Sequence, residues 1–295
     1  MSVGLTRPPA TFAHALRDAE ARLRAAGIDD DARLEAEVLL CHALGVSREQ
    51  LFARLREPIA DRRDAFEALL RRRLAREPTA YIVGHKEFYG LDLACTPDAL
   101  IPRPETELLV DEAIGWLSAE KPGTRNKEQG RLVADVGAGS GAIAVAVRAP
   151  KIRVVAVDLS RPALALAHHN AGAHGVAGRV TLLQGDLLSA LRGPFDLIAA
   201  NLPYVPTHLY ERLPPEIREH EPEAALHAGR LGTSLIEALL QQAPELLRPG
   251  GLLLAEHAWN QGRRLREAAR AAFPDAAIET KRDLAGHERL LVVRT

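Results

Sequence analysis

The fold is decided by residues 131–146, which read RLVADVGAGSGAIAVA. An apolar run ending at Val136 predicts a buried β-strand, and the glycines after it predict a tight turn into a helix that starts near Ala142. Glycine at such a turn lets backbone N–H groups approach a ligand closely, and the first turn of the helix offers unpaired donors. The segment therefore predicts a cofactor site formed by Gly137, Ala138, Gly139, Ser140 and Gly141.

Two further strand ends supply candidate cofactor contacts. Asp158 ends the next predicted strand, 21 residues after Gly137, and a carboxylate there can accept hydrogen bonds from a ribose diol. By the same argument Asp186 can meet an adenine amino group and Leu187 can pack on the ring, although Leu187 fits an ordinary core position equally well. The glycine spacing also satisfies the dinucleotide pattern G-x-G-x-x-A, so the turn alone does not identify the nucleotide.

From Arg131 onward, apolar strand patterns alternate with helical patterns. Near-continuous Val, Ile, Leu and Ala strands joined by helices predict an α/β fold with a mostly parallel sheet buried on both faces. A last strand, Arg289–Arg294, follows Lys281–His287 closely and is expected to be an antiparallel addition. The parallel strands are predicted at Leu132–Val136, Arg153–Val157, Val180–Leu183, Leu197–Ala200 and Leu252–Glu256.

Residues 1–78 predict a small bundle of four short helices. Thr11 is a predicted N-cap, and Ser47-Arg48-Glu49-Gln50 is a capping box that starts the third helix. Residues 79–104 are interpreted as a β-hairpin and linker, and residues 105–295 as the cofactor-binding domain. Two polar stretches are predicted loops, the longer of which is expected to be functional: Ser118–Gly130 and Tyr204–Leu231.

Composition excludes several classes of protein. The 295 residues are 47% hydrophobic and 26% charged, which is ordinary globular composition and excludes a mostly disordered chain. Thirty-eight Lys and Arg against 39 Asp and Glu give a net charge of −1, which argues against a dedicated nucleic-acid binder. Two cysteines predict no disulfide framework or paired-cysteine metal site. We find no signal-peptide pattern or spanning apolar run and expect a cytoplasmic protein.

The fourth predicted strand runs into Asn201-Leu202-Pro203-Tyr204. Ligands in open α/β sheets bind outside the carboxyl ends of strands, so this loop should face the same crevice as the glycine-rich turn. A conjugated NH2 group is a poor nucleophile, and its methylation requires acceptors for both N–H bonds and a wall that holds its plane. Asn201 offers a side-chain carbonyl and Leu202 a backbone carbonyl, while Pro203 stiffens the loop and Tyr204 offers a ring. With the third glycine of the turn, this loop favours S-adenosylmethionine as the cofactor.

These motifs together resemble the peptide chain release factor glutamine methyltransferases. The resemblance covers nearly the whole length, and two of its segments, LIPRPETE and the tail RDLAGHERL, are specific to that family. The glycine-rich turn is shared by most class I methyltransferases. The segments that carry it are Tyr81–Tyr89, Leu100–Glu107, Asp135–Gly141, Asn201–Tyr204 and Arg282–Leu290.

The resemblance implies a Rossmann-like, seven-stranded class I methyltransferase sheet behind an N-terminal helical domain that docks the substrate. It implies methyl transfer from S-adenosylmethionine, leaving S-adenosylhomocysteine, to the side-chain nitrogen of the Gln in the Gly-Gly-Gln motif of class-1 release factors. The resemblance implies no metal ion, no membrane association and no direct contact with nucleic acid. It also implies a monomer. By analogy Gly137–Gly141, Asp158, Leu187 and Asn201 would contact the cofactor and Asn201–Tyr204 the glutamine. The pocket would be walled by Arg103, Pro104, Glu105 and Thr106.

One position departs from the family pattern Asn-Pro-Pro-Tyr, since Leu202 replaces the first proline. Leucine keeps the backbone carbonyl but loosens φ, which proline would hold near about −65°. Because Pro203 follows, residue 202 is still biased toward extended conformations. Retained activity is therefore expected, with a small loss of preorganisation at most.

Two other functions remain open on the sequence. The same four-residue loop suits methylation of an exocyclic base amine in DNA or RNA, although the net charge and the lack of a basic, aromatic-studded segment oppose it. The second is a regulatory protein that binds a nucleotide without catalysing a reaction. The replacement of the family proline by Leu202 is the only feature that favours it.

Two further features of the sequence bear on function. The arginine-rich segment 62–76 is interpreted as a solvated helix face, with a dock for an acidic partner as the alternative. Glu256 and His257 end the fifth strand near the crevice. A proton-accepting role is conceivable for this pair, but a capping or packing role is favoured.

Overall fold

The computed structural model describes residues 11–119, 130–149 and 151–295. Contacts divide the chain into two compact units, one ending at Gly84 and the other starting at His85. The loop predicted at Ser118–Gly130 falls largely on residues 120–129, outside the described residues.

The first unit is helical, as the sequence predicts. The Thr11 hydroxyl accepts the backbone N–H of His14 at the start of the first helix, and the capping box at Ser47 is confirmed. Apolar side chains of all these helices meet in one core. The helices of this unit are α1 (Phe12–Ala25), α2 (Ala32–Leu44), α3 (Arg48–Ala53), α4 (Arg63–Leu74) and α5 (Thr79–Val83).

Helix α5 corrects the interpretation of residues 79–84 as hairpin. The β-branched Ile82 and Val83 suggested a strand, but both side chains are buried in the helical core, and such burial overrides local propensity. Gly84, at φ +85°, ends this helix in a left-handed conformation.

Several arginines of the 62–76 segment stabilise the unit itself. Arg73 is buried and paired with Glu35, and Arg72 is paired with Glu77. Arg76 donates to two carbonyl oxygens just after α1. The interpretation of this segment as a solvated helix face therefore holds for Arg62, Arg63, Arg71 and Arg72, which are exposed, and fails at Arg73, which is buried.

The second unit begins with an antiparallel hairpin and contains a seven-stranded sheet of order β5-β4-β3-β6-β7-β9-β8. Strand β9 pairs antiparallel with both neighbours, and the other pairs are parallel. The strands are β1 (His85–Phe88), β2 (Leu91–Ala94), β3 (Arg131–Val136), β4 (Ile152–Asp158), β5 (Val180–Gln184), β6 (Phe195–Ala200), β7 (Leu247–Glu256), β8 (Ala277–Arg282) and β9 (Glu288–Arg294).

Helices cover both faces of the sheet. Alternate residues of its central strands belong to two separate apolar cores, one packed with α6 and α7 and the other with α11 and α12, as expected for a parallel sheet. The helices are α6 (Glu107–Ser118), α7 (Ala142–Ala146), α8 (Arg161–Ala173), α9 (Thr207–Tyr210), α10 (Pro215–Arg218), α11 (Ser234–Gln242) and α12 (Gly262–Ala272).

One sequence prediction is confirmed in this unit and one is corrected. The last strand is the expected antiparallel addition, since β9 pairs antiparallel with β8, which ends at Arg282, and with β7. The stretch Tyr204–Leu231 is not structureless, since it contains α9, α10 and an isolated bridge between Val205 and His227.

The parallel register aligns the ends of four strands. Val136 of β3 lies opposite Val157 of β4 and Ala200 of β6, and Ala200 lies opposite Ala255 of β7. The next residue of each strand therefore stands in one row along the carboxyl edge. That row consists of Gly137, Asp158, Asn201 and Glu256.

Asn170 of α8 joins the hairpin to the glycine-rich turn. Its buried side chain accepts the Ala94 N–H at 2.9 Å and donates to the Ala94 carbonyl at 3.2 Å. It also donates to the Ser140 carbonyl at 2.9 Å. One amide thus satisfies three backbone groups in two segments that are far apart in the sequence.

Replacing Asn170 by alanine should lower the free energy of unfolding by about 3 kcal/mol, because three hydrogen bonds are lost at about 1 kcal/mol each. Urea unfolding measures the difference. His169→Ala, at the exposed neighbouring position, is the matched control. Equal losses in the two variants would contradict the bridging role.

Candidate active site

The carboxyl edge of the sheet opens into a cavity of about 230 Å³. Most of the residues selected from the sequence meet there. Those that line the cavity are Arg103, Thr106, Gly137, Ala138, Gly139, Ser140, Asp158, Asp186, Leu187, Asn201, Leu202 and Pro203. Four others do not belong to its described lining: Pro104, Glu105, Gly141 and Tyr204.

The glycine-rich turn requires glycine for two different reasons. A Cβ on Gly137, at φ +75°, would lie 2.9 Å from Leu202 Cδ2, so the turn touches the loop that follows β6. A Cβ on Gly139, at φ +53°, would meet no described atom within 4 Å. Gly139 therefore presents its backbone to open space in the cavity, as a cradle for a ligand requires.

Asp158 fastens this turn from the neighbouring strand. Its Oδ2 accepts the Gly139 N–H at 2.8 Å, and its Oδ1 accepts the Ser160 N–H at 2.8 Å. Each carboxylate oxygen has a second acceptor site. Asp158 can thus hold the turn and still accept hydrogen bonds from hydroxyl groups in the cavity.

Asp135 supports the turn from beneath. The carboxyl is fully buried, and its Oδ2 accepts the Ala144 N–H of α7 at 3.0 Å. Its Oδ1 has no hydrogen-bond partner within the described residues. Burial raises the pKa of Asp135 to about 7, because desolvation disfavours the charged form.

Leu187 stands in a strained conformation beside the cavity. Its φ of +48° is rare for a bulky side chain, and the side chain is buried. Asp186 is exposed, and its carbonyl accepts hydrogen bonds from the backbone and hydroxyl of Ser189. Strain of this kind concentrates at functional sites.

Asn201 is held by a hydrogen-bonded network behind the cavity wall. Its Nδ2 donates to Thr106 Oγ1 at 2.9 Å, and this hydroxyl donates to Glu256 Oε2 at 2.7 Å. The Tyr204 hydroxyl donates to Glu256 Oε1 at 3.1 Å. Burial raises the pKa of the Glu256 carboxyl to about 7.

The structure places Tyr204 differently from the ring expected to stack in the pocket. Its hydroxyl is engaged by Glu256, and its backbone carbonyl accepts from the Gln261 side chain at 2.9 Å. Burial and the nearby Glu256 carboxylate raise the pKa of Tyr204. The Tyr204 hydroxyl thus lies against Glu256 rather than in the described cavity lining.

Sequence reasoning missed Glu221. This buried carboxylate accepts from the guanidinium of Arg103 and, at 3.1 Å, from the Ile101 N–H, so it holds the Pro102–Thr106 turn in place. Nothing in the surrounding charged stretch distinguishes it. Asn170 was missed as well, since it lies in an ordinary helical pattern.

The residues present fit a nucleoside cofactor. The Asp158 carboxylate offers acceptors for a ribose, the apolar Leu187 offers a surface for an aromatic ring, and the open space at Gly139 lets a ligand approach the backbone. The described residues contain no group of three or more His, Cys, Asp or Glu side chains that could hold a metal ion. No helix in the same ranges is long and apolar enough to span a membrane.

The chain is similar to known proteins over most of its length. Family profiles described as the PrmC N-terminal domain and the methyltransferase small domain match residues 14–84 and 123–212. A release factor glutamine methyltransferase of Nitratidesulfovibrio vulgaris is 40% identical over 301 residues, covering 97% of each chain.

Another protein of that name, from Moorella thermoacetica, is 42% identical and covers 95% of this chain and 96% of its own length. Among solved structures, a methyltransferase from Pyrococcus furiosus has a TM-score of 0.51 at 16% identity. It covers 71% of this chain and 91% of its own, and this likeness concerns the fold alone.

Asp135→Asn should change how stability depends on pH. Between about pH 4 and pH 7 the unfolded chain releases the Asp135 proton while the native protein keeps it, so the wild type loses stability as pH rises. The free energy of unfolding of the variant relative to the wild type should therefore increase across this range, by about 4 kcal/mol in total.

Urea unfolding at pH 4 and pH 8 measures that difference, and the exposed Asp275→Asn is the control. A difference between Asp135→Asn and wild type that stays constant with pH would contradict the buried, protonated carboxyl.

Proposed function

The chain belongs to the family of release factor glutamine methyltransferases, and we propose that it methylates the side-chain amide of a glutamine in a peptide chain release factor. The methyl donor is S-adenosylmethionine and the acceptor is the Gln of a Gly-Gly-Gln motif in a class-1 factor. The product is N5-methylglutamine, and the enzyme acts in the cytoplasm as a monomer.

One observation carries this proposal: the Asn201 side chain lines the cavity in the same row as Gly137 and Asp158. An acceptor for an amide N–H therefore stands beside the surfaces suited to the cofactor. A crevice built only to hold a nucleotide would not need this amide at its wall.

The chain's own residues hold the cofactor at the glycine-rich turn. The backbone of Gly137–Ser140 lies against it, Asp158 accepts from its ribose, and Leu187 packs on its adenine, with Asp186 at the amino group. When bound, S-adenosylmethionine supplies a methyl group on a sulfonium, an electrophile for direct displacement.

The glutamine amide is activated by its orientation. Asn201 Oδ1 and the Leu202 carbonyl oxygen accept hydrogen bonds from its two N–H groups. These hydrogen bonds turn the nitrogen toward the methyl group and stabilise the positive charge that develops on it. Arg103 and Thr106 wall this part of the crevice. The nitrogen loses its proton to water after transfer.

The helical unit is proposed to dock the release factor. Arg62, Arg63 and Arg71 are exposed on α4 and its preceding turn, which suits an acidic surface of the substrate. Within the part of the chain that the structure describes, no feature favours the alternative base-amine methyltransferase, and the assay below includes nucleic acid as a competing acceptor.

Asn201→Ala should lower kcat by about 100- to 1000-fold, because one preorganised polar partner of the transition state is lost. The assay incubates enzyme, labelled cofactor and release factor, followed by mass spectrometry of the tryptic Gly-Gly-Gln peptide. The exposed Asn260→Ala is the matched control. Near-wild-type turnover in Asn201→Ala would contradict the role of Asn201 as acceptor for the substrate amide. Label found on nucleic acid alone would show that the substrate is a base amine and not a release factor.

Leu202→Pro should retain activity, with a change of about two- to fivefold in kcat. Proline would restrict φ at this position and contribute about 0.4–1 kcal/mol of preorganisation, while the carbonyl remains. The same peptide assay measures it. A loss of activity comparable to that of Asn201→Ala would show that the Leu202 side chain, which packs against Gly137, is itself required.

A further inference from the structure

Four side chains from three distant parts of the second unit form one chain of hydrogen bonds. Asn201 contacts Thr106 at 2.9 Å, Thr106 contacts Glu256 at 2.7 Å, and Tyr204 contacts the other oxygen of Glu256 at 3.1 Å. Thr106 and Glu256 are buried. Asn201 and Thr106 line the cavity, whereas Glu256 and Tyr204 are not part of its described lining.

The direction of each hydrogen bond follows from the carboxylate. An ionised Glu256 can only accept, so the single hydroxyl proton of Thr106 points toward it. The lone pairs of Thr106 Oγ1 are then left for Asn201, which must present its NH2 group to them. The Asn201 carbonyl oxygen is consequently the atom left to accept a hydrogen bond from a ligand.

We propose that Glu256 and Thr106 are positioning residues for methyl transfer: the carboxylate orients the Thr106 hydroxyl, which holds the Asn201 amide with its carbonyl oxygen toward the acceptor nitrogen. This inference rests on the proposed function of the crevice. It assigns a role to Glu256, for which the sequence favoured capping or packing.

Glu256 does not act on the substrate directly. It is 1% exposed, and both of its oxygens are engaged by hydroxyl groups. It is not among the described residues that line the cavity. A carboxylate so placed has no path to the acceptor nitrogen, and its effect passes through Thr106 and Tyr204.

Ionisation of Glu256 controls this arrangement. Burial and Glu105 raise the pKa of Glu256, while the two hydroxyl groups and Arg289 oppose the rise, leaving it at about 7. His257 alongside is held neutral near pH 7, because burial lowers its pKa. Below pH 7 one oxygen of Glu256 becomes a donor, the Thr106 hydroxyl loses its fixed direction, and kcat should fall.

The first experiment measures kcat and KM on a release factor for Thr106→Val and Glu256→Gln. Each should lower kcat by about 10- to 100-fold, with a smaller change in KM. The double variant should lose little more than either single one, because both changes break the same chain. Thr106→Ser, which keeps the hydroxyl, should recover most of the loss.

Thr233→Val is the matched control for burying a methyl group in place of a hydroxyl. Thr233 is buried and accepts a hydrogen bond from Arg264, outside the described cavity lining. It should lose stability without a comparable fall in kcat. Multiplicative losses in the Thr106/Glu256 double variant, or a Thr106→Val kcat within about threefold of wild type, would overturn the proposal.

The pH profile adds a test that a structural role alone would not pass. In the wild type kcat should rise through about pH 7, and Glu256→Gln should abolish that rise. Asp135→Asn should leave it in place, although the Asp135 carboxyl titrates in the same range. A rise that survives in Glu256→Gln would contradict the proposal.

Nuclear magnetic resonance tests the network without any turnover. The side-chain NH2 signal of Asn201, assigned by its loss in Asn201→Ala, should shift with a midpoint near pH 7 in the wild type but not in Glu256→Gln. A signal that does not respond to pH would overturn the proposal. If the wild type fails to methylate any release factor yet shows this titration, the proposed substrate is wrong and the positioning network stands.

Discussion

The crevice depends on the parallel register of β3, β4, β6 and β7. Because Val136, Val157, Ala200 and Ala255 lie opposite one another in successive pairs, the residues after them emerge at one level. A shift of one residue in any pair would turn the following side chain to the other face of the sheet. Apolar cores on both faces oppose such a shift, so the same packing that stabilises the sheet aligns the site.

The sequence predicted the elements of this site whose signal is local. Glycines after an apolar run, an acid at the next strand end and Asn201 at another all follow from the carboxyl-edge rule. The role of Glu256 depends on its contact with Thr106, which is 150 residues away in the chain. No local sequence pattern predicts a contact between residues so far apart. Asn170 and Glu221 escaped notice for the same reason, since a single polar residue in a helix or charged loop is usually solvated.

The misassigned segments have a related explanation. Thr79–Val83 has the composition of a strand but folds as a helix, because its apolar residues complete the core of the first unit. The hydroxyl of Tyr204 likewise has a partner that the sequence does not indicate, the buried carboxylate of Glu256. Periodicity and composition do not describe tertiary contacts of either kind.

The sheet order has a consequence for the loss of a single strand. Strand β9, the last of the described strands in chain order, lies between β7 and β8, and its Leu290 pairs with Glu256 itself. Strand β9 is thus the described link between β8 and the rest of the sheet, while β7 is already paired with β6 on its other side. A chain that lacked β9 would lose both pairings at once, and with them the sheet edge that holds Glu256 in place.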